Sequence, residues 1–174
     1  MNKGLVIGID PGSRRTGWGL VCEKSGVLEL VDCGIIRTEN SGKGAASSSS
    51  EFAGRLALYF RSLAGILERH KPEAAAVEQI FTSRNMASAL KLGQARGAAI
   101  AACAFRNLEI FDYEPTLVKR SLVGTGRAEK EQVSFMVRRL LNVKSNDLAL
   151  DTTDALAVAI CHLSQRRFQQ LTTS

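Results

Sequence analysis

The chain has little histidine, little cysteine in any useful arrangement, and no long apolar run, and each shortage excludes something. Its two histidines, His70 and His162, show no partner in the sequence and are assigned no role. Its four cysteines, Cys22, Cys33, Cys103 and Cys161, are far apart, lie among apolar residues and form no C-x-x-C pair. That argues against a zinc site or a disulfide framework and for small core residues in a reducing compartment. No apolar stretch approaches a membrane span, and the one before Asp10 is too short for a signal peptide, so a cytoplasmic location and no membrane partner are expected. Excess negative charge is absent too: 23 Lys and Arg outnumber 17 Asp and Glu, for a net charge of +6. That balance suits a polyanionic partner, although charge alone is equally met by a basic soluble protein.

What is present is enough for one domain. A chain of 174 residues, 45% hydrophobic and 23% charged, can bury a proper core but is too short for two full-sized domains, so residues 1–174 are read as a single unit. Leu5 to Ile9 is uniformly apolar, as in a strand buried on both faces. A turn at Pro11-Gly12, with Gly12 free to take a positive φ, leads to a strand over about Thr16–Cys22 that sets Trp18, Leu20 and Cys22 on one side. Lys24-Ser25-Gly26 turns the chain into a third strand, about Val27–Ile36. The Ser-rich stretch from Asn40 to Ser50 reads as a flexible loop. Phe52, Leu56, Tyr59, Phe60, Leu63, Ile66 and Leu67 have helical spacing, and Pro72 ends that helix. Then follow a strand at Ala74–Val77, a helix from about Asn85 to Phe105, and a strand at Leu108–Tyr113. Helices from Pro115 to Val123 and Glu129 to Leu141 come next, and a last helix, capped by Asp147, runs to about Arg167 before a tail. The order implies an α/β fold mixing an antiparallel meander with parallel crossover strands.

Four carboxylates stand out. Asp10 closes the first strand and Glu78 closes the later Ala74–Val77 run, so neighbouring strands would bring both to one end of a sheet. Asp151 and Asp154, three apart in an apolar helix, share a face with Cβ atoms about 5–6 Å apart. Acids set against apolar surface need a partner, and a set of oxygen ligands favours Mg²⁺ or Mn²⁺ over zinc. Four carboxylates can hold two ions about 3.5–4 Å apart, as in two-metal phosphodiester chemistry. Taken singly, each acid is better read as a cap, a salt bridge or a surface position. Together, at convergent ends, they point to a metal-dependent enzyme acting on a polyanion.

The motifs around these acids carry a resemblance. Ile9-Asp10-Pro11-Gly12-Ser13 with Thr16-Gly17, Val77-Glu78-Gln79 before Phe81, and Ser88-Ala89-Leu90-Lys91-Leu92-Gly93-Gln94-Ala95-Arg96-Gly97 resemble the RuvC family of Holliday-junction resolvases. So do Val118-Lys119, Ala128-Glu129-Lys130 and Asp151-x-x-Asp154-Ala155-Leu156-Ala157, in order from residue 5 to about 162. The resemblance implies a ribonuclease H-like mixed five-stranded sheet flanked by helices, a homodimer, and Mg²⁺-dependent cleavage of four-way DNA junctions. It makes Asp10, Glu78, Asp151 and Asp154 the catalytic, metal-holding acids, with two Mg²⁺ ions in each site and Mn²⁺ able to substitute. It also implies work beside a branch-migration motor, for which the sequence shows no docking motif. The insertion at Ala45–Ser50 and the tail after His162 fall outside it.

Lys119 and Lys130 match basic positions that approach phosphates near the cut in the family, and an ammonium suits that contact. Arg84, Lys91, Arg120 and Arg127 follow the same logic more weakly, while Arg138, Arg139, Arg166 and Arg167 read as ordinary helix surface. By composition Phe81 is a core residue, but the resemblance makes it a loop aromatic that stacks on an unpaired base at the junction centre. Gly93, Gly97, Ala98 and Ala101 present small residues at spacings of three and four. They permit close approach either of this chain's own sheet or a neighbouring helix or, as the resemblance favours, of a second copy. Three rival readings are weaker. An actin-like phosphotransferase needs about twice this length, and Trp18-Gly19 stands where a phosphate-binding loop needs Lys-Ser/Thr. A junction binder that does not cut would have no use for four acids facing phosphate. A nuclease for RNA–DNA hybrids would not need the dimer-helix and Phe81 matches.

Overall fold

The computed structural model describes residues 4–38, 48–80, 86–144 and 148–172. Phe81, Arg84, Asp147 and the Asn40–Ser47 part of the serine-rich stretch lie outside the described residues. The strands are β1 (Leu5–Asp10), β2 (Arg15–Lys24), β3 (Val27–Arg37), β4 (Ala74–Glu78) and β5 (Glu109–Tyr113). The helices are α1 (Ser48–His70), α2 (Met86–Phe105), α3 (Pro115–Val123), α4 (Lys130–Leu140) and α5 (Leu150–Thr172).

One five-stranded sheet runs β3-β2-β1-β4-β5. β1, β2 and β3 pair antiparallel, whereas β4 joins β1 and β5 joins β4 in parallel. The β2–β3 hairpin turns on Ser25 and Gly26, whose φ values of 51° and 81° match the right-handed twist of the strands they connect. Alternation along each strand divides the core. Leu5, Ile7, Ile9, Trp18, Leu20, Cys22, Ala75 and Val77 pack under α1 and α2, while Val6, Val21, Ala74 and Ala76 pack under α3, α4 and α5. β1 is thus buried on both faces, as its apolar run implies.

The seat of α5 is what positions the acids. Gly8 and Gly17 lie on the α5 side of β1 and β2, and a Cβ at either would stand 2.0 Å from the Ala155 carbonyl oxygen or 1.9 Å from that of Asp151. Only glycine lets a helix backbone descend this far onto a sheet. The first two turns of α5, with Asp151 and Asp154, are thereby pressed against the ends of β1 and β2.

Several expectations are corrected. Gly12 does not take a positive φ; it is required because a Cβ would meet the Arg15 carbonyl oxygen at 1.9 Å in a turn laced by Thr16, whose hydroxyl accepts from the Gly12 N–H at 3.2 Å. Ser48 to Ser50 belong to α1 rather than to a loop, since a helix tolerates serine in its first turn and Glu51 there complements the helix dipole. α5 continues past Arg167 to Thr172, because Phe168 to Leu171 contain no helix breaker. The histidines have partners. The buried His162 has Nδ1 2.9 Å from the Tyr113 hydroxyl and its ring centroid 4.5 Å from that of Phe111, and His70 Nε2 lies 3.1 Å from Asp32 Oδ2. Both partners come from distant strands, which spacing along the chain does not reveal.

Candidate active site

Asp10 and Glu78 meet because β1 and β4 are parallel neighbours, with Ile9 opposite Val77. Both acids have the strand parity of Gly8 and Ala76, so both point to the α5 side. Their carboxyls share a hydrogen bond. Burial, then mutual repulsion, pushes the Glu78 pKa up to about 8, and burial likewise raises that of Asp10 despite the bond from Glu78. At neutral pH the pair therefore keeps a proton between its carboxyls.

The two acids line a cavity of about 290 Å³ together with Asp154, Lys119 and Lys130, and its apolar wall is formed by Pro115, Val118, Val133 and Ala157. Lys130 Nζ lies 3.3 Å from Asp154 Oδ2, and the attraction of that carboxylate raises the lysine pKa. α4 delivers Lys130 in its first turn, opened by a capping box in which the Glu129 N–H donates to Gln132 Oε1 at 2.9 Å. α3 delivers Lys119 after Pro115, which is preorganised for a helix start.

The predicted residues separate into three groups. Asp10, Glu78, Asp154, Lys119 and Lys130 come together. Asp151 does not line the cavity; it faces Arg15, whose Nη2 is 3.2 Å from Asp151 Oδ2. Lys91 lines a separate groove between α1 and α2, and Arg120 and Arg127 are exposed away from the cavity lining. On α2, Ala95, Ala99, Ala102 and Cys103 are the residues buried against the core, Ala98 is partly buried beside them, and Gly93, Gly97 and Ala101 are exposed. Among the described residues, apart from the helix's own neighbouring backbone, nothing lies within 4 Å of a Cβ built at Gly93 or Gly97. The small-residue stripe therefore does not serve this chain's own sheet at those two positions.

Sequence reasoning missed Arg15 as the partner of Asp151, and Arg55, whose Nη2 donates to the Ser13 carbonyl at 2.7 Å and ties α1 to the turn after Asp10. Neither has a local signal. Among the described residues no three Asp, Glu, His or Cys side chains are gathered closely enough to enclose a metal ion. Instead each acid has a protein partner: Asp10 with Glu78, Asp154 with Lys130, Asp151 with Arg15. The donor set still fits a hard divalent cation. It is all carboxylate oxygen, and the burial that raises the pKa of both Asp10 and Glu78 is the penalty that such a charge would relieve.

Comparison with known proteins agrees with this geometry. Residues 6–162 match the family described as crossover junction endodeoxyribonuclease RuvC. The chain is 55% identical over 168 residues to a protein of that name from Solidesulfovibrio magneticus, covering 97% of this chain and 94% of the relative. It is 58% identical over 167 residues to the one from Lawsonia intracellularis, covering 96% and 94%. Among solved structures, RuvC of Thermus thermophilus in complex with a Holliday junction substrate aligns with a TM-score of 0.82 and 32% identity over 95% of this chain and 96% of that one. A yeast mitochondrial Holliday junction resolvase shares the fold, with a TM-score of 0.65 at 11% identity over 95% of this chain and 82% of that one. From sequence, fold and acid placement together, the chain belongs to the RuvC family of crossover junction endodeoxyribonucleases.

Proposed function

We propose that this chain resolves four-way DNA junctions by hydrolysing two symmetric phosphodiester bonds, leaving 5′-phosphate and 3′-hydroxyl ends, with Asp10, Glu78 and Asp154 at the reacting centre. The observation that carries this is the convergence of those three acids, from two parallel strands and a glycine-seated helix, in one cavity beside Lys119 and Lys130. Family membership implies divalent-metal dependence in general terms. The carboxylate oxygens suit Mg²⁺, with Mn²⁺ as a substitute. Such a cation supplies charge to acidify an attacking water and to stabilise the departing 3′ oxygen.

The protein's own groups have separate tasks. Asp10 and Glu78, once ionised, provide the carboxylates that hold the metal. Asp154 exchanges its lysine partner for the same duty, which leaves Lys130 free to neutralise a phosphate oxygen. Lys119, on the same wall, fixes the phosphate from a second direction. Asp151 acts from outside the cavity: its charge reaches Asp10, and its pairing with Arg15 holds the start of α5 against β2. Phe81, just beyond β4, is assigned the stacking contact that keeps an unpaired junction base out of the duplex.

Two symmetric cuts need two sites related by a two-fold axis. The exposed α2 face with Gly93, Gly97 and Ala101 is the homodimer contact in this reading. A branch-migration motor as a further partner rests on the family resemblance alone. Among the described residues no helix is long and apolar enough to cross a membrane, and the proposed DNA substrate places the chain's work in the cytoplasm.

The test is incubation with a synthetic four-way junction and a matched linear duplex, with Mg²⁺ or with EDTA, read on a denaturing gel. Paired symmetric nicks only in the junction and only with the metal are expected. Junction binding without any cut, with several sequences and with Mn²⁺ also tried, would refute the catalytic reading.

A further inference from the structure

α4 ends on a basic surface. Phe135, Arg138, Arg139, Asn142, Val143 and Lys144 surround an open hollow of about 440 Å³, whose lining has three cations and no carboxylate. Among the described residues none of those cations is in an ion pair. The Nε of Arg138 is buried with no hydrogen-bond partner, and the Phe135 ring beside it is 65% exposed. Read from the sequence, Arg138 and Arg139 are helix surface, and basic residues in a last turn do favour the helix dipole. That duty does not account for Lys144, which lies beyond the helix, or for the lack of a carboxylate among the described residues that line the hollow.

The hollow is also placed with respect to the active site. α4 starts at Lys130, in the cavity with Asp154, and ends at Leu140. At a helical rise of 1.5 Å per residue, Arg138 and Arg139 stand about 12–13 Å along the axis from Lys130. With about 3.4 Å per base pair, that reach corresponds to about four base pairs of duplex.

We infer that the hollow at the end of α4 is a second DNA contact, binding the phosphate backbone of a junction arm about four base pairs from the scissile bond. The inference rests on the junction-cleaving reading given above. Arg139 and Lys144, both exposed, neutralise the phosphates, and Arg138 turns its guanidinium toward the same strand. The Phe135 ring offers apolar surface to the deoxyribose carbons. Such a contact carries no base specificity. It adds affinity for the arm and leaves the placing of the scissile phosphate to Lys119, Lys130 and the acids.

The experiment compares the wild-type chain with Arg139→Gln/Lys144→Gln, which spares the partly buried Arg138. Junction affinity is measured in EDTA across a range of salt, and single-turnover cleavage is measured with Mg²⁺ at saturating protein. Loss of two phosphate contacts lowers the slope of log affinity against log salt by about 2 and weakens binding roughly tenfold or more at moderate salt. The saturated cleavage rate stays within about twofold. Uncharged methylphosphonate linkages four base pairs from the cut weaken binding by the wild type and leave the double variant unaffected. The charge-preserving Arg139→Lys/Lys144→Arg variant keeps the wild-type slope. An unchanged slope in the double variant, or equal sensitivity of both proteins to the methylphosphonates, overturns the inference. A wild type that neither binds nor cuts the junction is a failure of the function itself, and the wild-type lanes show it separately.

Discussion

Replacing Glu78 with glutamine should stabilise the metal-free protein and abolish cleavage, two effects in opposite directions from one atom. Glu78 has an ordinary carboxyl pKa of 4.5 when unfolded and about 8 in the fold, because it is buried against Asp10. An acid with a raised folded pKa costs nothing below pH 4.5, and its penalty grows until the folded form ionises. At pH 7 that difference is roughly 3 kcal/mol. Glutamine carries no charge, and its amide can still donate to Asp10, so the net gain should be about 1–3 kcal/mol, or roughly 3–9 °C in melting temperature for a chain of this size. Thermal unfolding in EDTA, followed from pH 4.5 to 9, should show the two proteins converging at the acid end and separating as pH rises. Added Mg²⁺ should raise the wild-type midpoint and move the variant less. The junction assay should show binding without cuts. A variant less stable than wild type at pH 8, or one that still cleaves, would refute the claim that Glu78 is held at a cost for its chemistry.

Gly17→Ala should lose about 3 kcal/mol or more by denaturant unfolding, beyond the usual cost of overpacking, since its Cβ would stand 1.9 Å from a backbone oxygen of α5. Any folded fraction should cleave poorly, because Asp154 is displaced along with the helix. His162 has its pKa lowered from 6.5 to about 4, first by burial and then by Arg166. Below pH 6.5 the unfolded chain takes up a proton that the folded chain refuses, so stability should fall by about 2 kcal/mol between pH 7 and pH 5 through this residue. A His162→Gln variant should show a shallower acid decline, and equal slopes would contradict the assignment. Gly97→Leu should leave the monomer's melting temperature within about 2 °C, because no described residue outside its own helix backbone lies near that position, yet halve the mass seen by light scattering and impair paired nicking. A dimer that survives that substitution would remove the α2 face from the interface.

The division between what was legible and what was not follows the range of the interactions. The apolar run Leu5–Ile9, the turn residues and the helical spacing in α1 are local, so strands and helices could be read with only their ends misplaced. Even the meeting of Asp10 and Glu78 was foreseeable, since strand alternation sends residues of like parity to one face once two parallel strands are neighbours. The family motifs, spread from residue 5 to about 162, contain Asp10, Glu78, Asp154, Lys119 and Lys130, which line one cavity, and Asp151, which does not. Spacing failed where a partner comes from elsewhere in the chain. Asp151 and Asp154 look equivalent at three residues apart, yet Asp154 enters the cavity with Lys130 and Asp151 turns out to Arg15. His162 looked idle until β5 supplied Tyr113 and Phe111.

The sequence by itself determined the strand buried on both faces and the acids at the strand ends. Local backbone preference and period-two or helical burial act over a few residues and need no knowledge of the fold. Only the tertiary structure decided which carboxylates share a proton, which meet a cation of the protein, which glycines no side chain could replace, and which cations at the end of α4 have no acid beside them among the described residues. Those outcomes depend on how far α5 sinks onto Gly8 and Gly17, a distance set by the packing of the whole sheet.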